Sequence, residues 1–118
     1  MSEDDEPLPT RLHEIAHARA GDKGNRSSIS LIPYRPEAYR LLLEQVTEQR
    51  VLEAFAHKGA SRVTRYELPG LPALNFVIDD VLQGGVNAAL NLDQHGKTLS
   101  SLLLAMPVTA PRRLMRRP

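Results

Sequence analysis

The polar side chains that could bind a ligand or move a proton are concentrated between residues 17 and 28. Gly21 and Gly24 let the backbone of this segment turn so that its N–H groups converge. Arg19 and Lys23 add positive charge at the same place. Converging N–H groups and cations hold anions, so the segment is predicted to be a loop that binds a carboxylate or a phosphate.

Acid–base or nucleophilic chemistry is a second hypothesis for this segment. Asp22 lies beside Lys23 and could act as a general acid or base, or form an ion pair with the lysine. Ser27 and Ser28, near His17, suggest a nucleophile and its base, but no third member of a triad is identifiable. A lone Gly-x-x-Gly is a weak signal, and on spacing alone a polar β-turn with solvated charges is the simpler interpretation.

Two further patterns do not meet the requirements of phosphate or metal sites. Gly96-Lys97-Thr98 resembles the end of a P-loop, but Asn91 stands where its first glycine is required. His13 and His17 lie about 13 Å apart in an extended strand, too far to share one metal ion. The chain also has no cysteine, so no metal site is predicted and no cofactor can be assigned.

The composition is that of one globular domain. The chain has 118 residues, of which 42% are hydrophobic and 25% charged. No stretch approaches the roughly 20 apolar residues of a membrane helix, and the acidic start is unlike a signal peptide. We therefore expect a cytoplasmic protein that does not contact membranes.

The two ends of the chain are predicted to be flexible tails. Residues 1–10 are acidic, residues 109–118 are rich in arginine and proline, and neither has a periodicity that would bury one face. Their charges largely cancel, and the net charge is only +1, so no field attracts nucleic acid to the folded part. The domain is predicted to span residues 11–108.

Between the tails, the apolar periodicity predicts the order β-β-α-α-β-α-β-α. Each helix has one apolar stripe and must cover a sheet, which indicates an α+β, ferredoxin-like two-layer sandwich. Asn75 falls at the start of the third helix, as a cap-region residue or a pocket amide. The elements are strands over 11–18 and 28–34, a helix after Pro36, a helix capped by Thr47 and ended by Gly59, a strand over 64–68, a helix after Pro72 with Leu74, Val77, Ile78 and Val81 on one face, a strand over 86–92 centred on Leu90, and a short helix from Thr98 that Pro107 ends.

Several segments, taken in order, resemble one known family. They are residues 15–25, Phe55-Ala56-His57, residues 66–76, Gly84-Gly85 and residues 92–99. Together they are similar to the AtuA-like ferredoxin-fold domain, the small C-terminal domain of the acyclic terpene utilisation protein family. The resemblance covers roughly residues 10–108.

The resemblance implies a role in the catabolism of acyclic terpenes and related branched acids through CoA thioesters. It also implies a larger partner subunit, similar to the N-terminal domain of that family. The positions that match the family's motifs are His17, Asp22 and Lys23, taken as catalytic, and Arg19, Gly21, Gly24, Asn75 and Lys97, taken as ligand-binding. Asn25-Arg26-Ser27 departs from the acidic or small residue expected after Gly24.

Three functions are compatible with these observations. In the first, the chain is a small enzyme subunit whose Gly-Asp-Lys-Gly loop completes a site shared with the larger subunit, because a domain of this size has little room for its own cavity. In the second, it is a non-catalytic interaction or regulatory module, and a homo-oligomer is possible in either case. An RNA-binding domain is the least favoured, since no strand is rich in aromatic residues.

Overall fold

The computed structural model describes residues 6–23, 26–80 and 99–116, and at positions 22 and 23 it describes the backbone alone. Within these ranges the chain forms six strands, two α-helices and a helical segment over residues 99–104. The strands are β1 (Pro7–Arg11), β2 (Ala16–Lys23), β3 (Arg26–Pro33), β4 (Arg62–Glu67), β5 (Leu74–Asp79) and β6 (Pro107–Pro111), and the helices are α1 (Tyr39–Gln45) and α2 (Glu48–Phe55).

Strands β2 to β5 form one antiparallel sheet in the order β2-β3-β5-β4. The register places Ile29 opposite Phe76 and Leu31 opposite Leu74, so alternate residues of the two central strands share one face. The side chains on this covered face are buried, and α1 packs against β3 while α2 packs against β4. Helices on one side of an antiparallel sheet give the predicted α+β ferredoxin-like class, which is confirmed.

Local capping signals correctly predict where α1 and α2 begin and where the helical segment that follows α2 ends. Pro36 opens a 3-10 turn that leads into α1. Thr47 caps α2, and its side-chain oxygen accepts a hydrogen bond of 3.2 Å from the Arg50 N–H. Gly59 follows the last turn in the left-handed region, at φ 89°. Each of these features depends on a few neighbouring residues, which is why the sequence shows them.

The segment predicted as the third helix is strand β5, so this prediction is wrong. Leu74, Phe76 and Ile78 are buried, whereas the alternate residues Asn75 and Val77 are half-buried. The apolar Val77 made a helical period fit, although its side chain lies on the other face of the sheet. Pairing with β3 on one side and β4 on the other overrides that local pattern.

The predicted loop around Gly21 is also corrected, because β2 continues through it to Lys23. β3 begins at Arg26, so only Gly24 and Asn25 separate the two strands. The predicted first strand over 11–18 is divided among the end of β1, a 3-10 turn at Leu12–Glu14 and the start of β2. Polar residues on one face of β2 gave the strand the composition of a loop.

The predicted flexible tails are wrong wherever the structure describes them, because the two ends pair with each other. β1 and β6 form a two-stranded antiparallel ribbon, with Leu8 opposite Ala110 and Thr10 opposite Val108. Val108, Ala110 and, after the ribbon, Leu114 are buried in the core. Residues 7–10 and 109–114 are therefore part of the folded structure.

Prolines are the reason that the sequence pattern did not predict these two strands. They occupy alternate positions of the two strands, at Pro7, Pro9, Pro107 and Pro111. Proline lacks an N–H, and these positions belong to the pairs that do not exchange ladder hydrogen bonds. Thr109, opposite Pro9, also belongs to these non-exchanging pairs, so its backbone N–H and C=O point away from β1. The N–H donates to Gln45 Oε1 at 2.8 Å, and the C=O accepts from Gln45 Nε2 at 2.7 Å.

Two segments singled out in the sequence lie outside the described residues. They are the predicted strand over 86–92, with Leu90 at its centre, and Gly96-Lys97-Thr98, which resembles the end of a P-loop. The described helical segment over 99–104 agrees with the predicted last helix. Pro107, expected to end that helix, instead begins β6.

The side chain of Arg65 ties the sheet to the end of α1, and its removal should destabilise the fold. Its Nη1 donates to the Leu43 and Val46 carbonyl oxygens, both at 2.9 Å. Arg65→Met keeps the aliphatic length but leaves these carbonyls without a charged donor, so we expect the free energy of unfolding in urea to fall by about 1–3 kcal/mol. Arg62→Met, in an exposed position of the same strand, is the control. An equal loss of unfolding free energy in both variants would contradict this role of the Arg65 hydrogen bonds.

Candidate functional site

The face of the four-stranded sheet that lies opposite the covered face is here called the open face, since its side chains are half-buried or exposed. Pairing of the strands places four polar side chains in a line across it. This polar row consists of Arg19, Ser30, Asn75 and Tyr66. Adjacent strands are about 4.8 Å apart, so the row spans roughly 15 Å, the length of a small organic ligand.

Asn75 is the centre of a hydrogen-bonded group on the open face. Its Oδ1 accepts hydrogen bonds from the hydroxyls of Ser28 and Ser30, each at 3.1 Å. These two bonds fix the orientation of the amide, and no acceptor for its Nδ2 is found among the described residues. The arrangement therefore offers two oriented N–H donors and hydroxyl oxygens with free lone pairs to a ligand with acceptor atoms.

The charge available to such a ligand comes from Arg19. Its side chain is exposed at one end of the polar row and has no ionic partner in the part of the chain that the structure describes. Arg26, by contrast, donates through Nε to Asp79 Oδ1 at 2.8 Å, and Arg62 lies opposite Asp79 from the other side. The open face thus has an ion pair at one end and, on the polar row that contains Asn75, a guanidinium without an ionic partner among the described residues.

A stack of rings and a guanidinium borders the site at the His17 end of β2. The rings of His17 and Tyr34 are 5.4 Å apart between centroids and tilted by 32°. The Arg116 guanidinium lies 5.7 Å from the centre of the Tyr34 ring, and its Nη1 is 3.4 Å from the Tyr34 hydroxyl. Its backbone N–H donates to the Glu14 carbonyl. The C-terminal segment thus places a second cation against Tyr34, whose ring also contacts His17.

The structure brings several of the predicted site residues together on the open face. His17, Arg19 and Gly21 follow one another at alternate positions of β2, and Asn75 lies two strands away in the polar row. His17 was expected on a strand, Arg19 and Gly21 on a loop and Asn75 at a helix start, so the strands that position the last three are a correction. The grouping depends on strand order, which the sequence left open.

The remaining predicted residues are described less completely. The backbone of Lys23 lies opposite Arg26, and that of Asp22 opposite Ser27. Gly24 and Lys97 lie outside the described residues. Catalytic or binding roles for these positions stay predictions.

The serine–histidine pair suggested by the sequence does not form. Ser27 is fully buried on the covered face. Ser28 is on the open face, but it lies opposite Gly21, four positions along the strand from His17. At about 3.3 Å per residue the separation is roughly 13 Å, far beyond the reach of a general base. The arrangement favours ligand binding over nucleophilic attack by a serine.

Sequence reasoning missed Ser30 and Tyr66 as members of the site. Ser28 and Ser30 alternate along a predicted strand, a signal that they share a face. Their partner Asn75 could be found only by pairing β3 with β5, and the helix prediction prevented that pairing. Tyr66 remains 51% exposed at the outer end of the row.

The open face is not enclosed by the described part of the chain. Grooves of about 470 and 330 Å³ lie beside the β1–β6 ribbon, the first against Arg11 and His13 and the second against Arg40 and Gln45. Neither is lined by residues of the open face. To be enclosed, a ligand bound to the polar row would therefore need a second wall from residues outside the described ranges or from another chain.

The described ranges contain no candidate for a metal site or for a membrane-spanning helix. No three His, Cys, Asp or Glu side chains in residues 6–23, 26–80 and 99–116 are grouped closely enough to hold a metal ion. Among the same residues, no helix has the length and apolar character needed to cross a membrane.

Comparison with known proteins gives one match. The family model described as AtuA ferredoxin-like domain matches residues 10–109, which is most of the chain. No curated protein and no solved structure is similar enough to be matched. The family model thus covers every residue of the polar row.

Proposed function

Because the chain belongs to the AtuA ferredoxin-like domain family, we propose that it is the small subunit of a catabolic enzyme whose site it shares with a larger subunit. The larger subunit would resemble the N-terminal domain of the acyclic terpene utilisation family. The substrates would be acyclic terpene-derived or related branched acids, or their CoA thioesters. The polar row carries this proposal: it presents oriented donors and a guanidinium, and the described part of the chain supplies no wall that would enclose a ligand.

The residues of the open face support a binding role toward an anion or a thioester carbonyl. Arg19 would pair with a carboxylate or phosphate oxygen, and the Asn75 Nδ2 would donate to a second acceptor atom of the same ligand. His17 and Lys23 are proposed to act on the substrate at this face. Asp22 is proposed to act from the end of β2, where its backbone lies opposite Ser27. Gly21, Gly24 and Lys97 are proposed as further ligand contacts.

The experiment that tests the shared site begins with the partner. The full chain, carrying an affinity tag, is co-expressed with the neighbouring open reading frames and purified. We expect a larger protein of the acyclic terpene utilisation family to co-purify in a fixed ratio, and the complex, but neither protein alone, to turn over CoA thioesters of branched acids. Full activity of the larger protein alone would support the interaction-module alternative.

Within that complex, Arg19→Ala should lower kcat/KM at least tenfold, equivalent to about 1.4 kcal/mol of lost binding. Asn75→Asp should act in the same direction, because it replaces two N–H donors by a negative charge that repels an anion. The melting temperature of the Arg19 variant should stay nearly unchanged, since an exposed charge contributes at most about 1 kcal/mol.

The control for these variants is Arg40→Ala, which removes an exposed arginine from α1, away from the open face. Its activity should equal that of the unmodified complex. Full activity of both open-face variants, with the correct partner and substrate, would refute a binding role for the polar row.

A further inference from the structure

The strand edges of this protein differ in whether another strand can be added to them. In the ribbon, prolines remove N–H donors from the outer edges, and Gln45 occupies the outward groups of Thr109. At the outer edge of β4, the Arg65 N–H donates to Glu48 Oε2 at 2.8 Å. β2 forms the other edge of the four-stranded sheet, has eight residues and contains no proline.

The backbone groups of β2 that point away from the sheet can be identified from the pairing. The Arg65 N–H is bonded outside the sheet, so Arg65 and Phe76 are a pair that does not exchange hydrogen bonds. Phe76 therefore bonds toward Ile29, and Ile29 cannot bond toward its other neighbour, Ala20. By the same alternation, Ala18 and Ala20 both direct their N–H and C=O groups outward.

Within the described residues, nothing is bonded to these outward groups. In the described part of the chain, no hydrogen-bond partner is found for the backbone of Ala18 or Ala20. Both side chains are single methyl groups, so nothing on β2 itself shields the edge at these positions. A regular edge without proline, bulge or covering side chain is the kind on which an additional strand forms.

We propose that the edge of β2 pairs with an extended segment of the larger subunit in which acidic residues alternate with small apolar ones. The charges on β2 select this partner. On the open face, the side chains along the edge are those of His17 and Arg19, with Gly21 between Arg19 and the end of the strand. Acidic side chains opposite His17 and Arg19 would pair with them, and small residues would fit beside the alanines on the covered face.

A second copy of the chain fits this edge less well. In an antiparallel pair centred on Ala18, His17 would lie opposite Arg19 of the second copy. In a pair centred on Arg19, the two arginines would face each other. Two arginines directly opposite repel each other, and in the register centred on Ala18 the charge of Arg19 has no acidic partner, so neither register compensates that charge.

The larger subunit enters this inference from the proposed function, but the edge can be tested without it. The probe is the acetylated, amidated peptide Val-Glu-Ala-Glu-Val-Glu-Ala, titrated into the 15N-labelled full chain. We expect saturable shifts centred on the Ala18 and Ala20 amides, and slower hydrogen exchange of both. Shifts centred elsewhere, or no binding, would overturn the proposal.

Two peptide controls separate strand pairing from charge attraction. The apolar residues of the probe are those whose N–H groups face β2, so methylation of the backbone nitrogen of its second valine should weaken binding at least tenfold without changing the charge. Replacement of the three glutamates by lysine should weaken it to a similar extent. Unchanged affinity of the N-methylated peptide would exclude backbone pairing.

The matching change in the protein is Ala18→Pro, which removes an outward N–H that no strand of the sheet uses, with Ala18→Ser as the control that keeps it. Ala18→Pro should reduce binding of the probe and co-purification of the larger subunit at least tenfold, and Ala18→Ser should change neither. Because the peptide controls use the unmodified chain, they hold even if the proline variant folds poorly.

The outcomes also distinguish this inference from the proposed function. If the peptide binds at β2 and no larger subunit co-purifies, the edge is confirmed and the proposed enzyme complex is wrong. If the complex forms but neither Ala18→Pro nor the peptide affects it, only the edge proposal fails. A homodimer that Ala18→Pro dissociates would assign the edge to a second copy instead.

Discussion

A chain that ends at residue 106 is expected to lose at least about 4 kcal/mol of stability, and with it most of its cooperative unfolding transition. The truncation removes β6, which is the partner of β1, together with the buried side chains of Val108, Ala110 and Leu114. Burial of one large aliphatic side chain contributes about 1.5–3 kcal/mol, and domains of ordinary stability have only about 5–15 kcal/mol in total.

The lost contacts extend beyond the ribbon. Gln45 would lose both of its hydrogen bonds to Thr109, and Arg50 would lose the Pro107 carbonyl to which its Nη2 donates. The measurement is urea unfolding followed by circular dichroism. As the control, the full chain carries Thr109→Ala and Arg112→Ala, two exposed positions of the same segment, and should lie within about 0.5 kcal/mol of the unmodified chain. An unchanged midpoint in the truncated chain would restore the interpretation of this segment as a flexible tail.

Phe76→Ala is expected to be among the most damaging single substitutions in the described part of the chain. Phe76 is fully buried at the centre of the covered face, opposite Ile29 on one side and Arg65 on the other. Truncation of a buried phenylalanine to alanine typically costs about 3–5 kcal/mol, because it removes apolar contacts and leaves a cavity. Chemical denaturation of the variant would give this value directly.

Val77→Ala is the matched comparison, because a strand buries the side chain of Phe76 whereas the predicted helix would bury that of Val77. In a helix with Leu74, Val77 and Ile78 on one face, Val77 would be buried and its truncation would be the costlier change. In β5, Val77 is half-buried on the open face and should lose only about 1 kcal/mol. A larger loss for Val77→Ala than for Phe76→Ala would contradict the strand.

The parts of the fold that were predictable from the sequence are those that neighbouring residues determine. The cap at Thr47 and the left-handed glycine at Gly59 define α2 within a dozen residues. The apolar stripes of the helices require a sheet, and this was enough for the fold class. The segment Leu74–Asp79 was not predictable in the same way, because its apolar residues satisfy both periods and only its two neighbouring strands decide between them.

The candidate site shows the same division. His17, Arg19 and Asn75 were identified by resemblance to the family, but their common face results from the register of β2, β3 and β5. That register links residues far apart in the chain. The role of Ser30 depends entirely on it, since the serine is notable only because Asn75 lies opposite. Residue types could therefore be predicted locally, whereas their assembly into a row could not.

The pairing of β1 with β6 has a consequence for the order of folding. The hairpins β2–β3 and β4–β5 join segments that are close in the chain, so they can form early and at little cost in loop entropy. The ribbon joins the two ends of the described chain and must wait until everything between them is compact. During synthesis β6 is the last of the described strands to leave the ribosome, so β1, the first of them, stays without its partner until then. Pro7 and Pro9 then limit the wrong pairings open to β1, because they withhold N–H donors from any strand that approaches its outer edge in that interval.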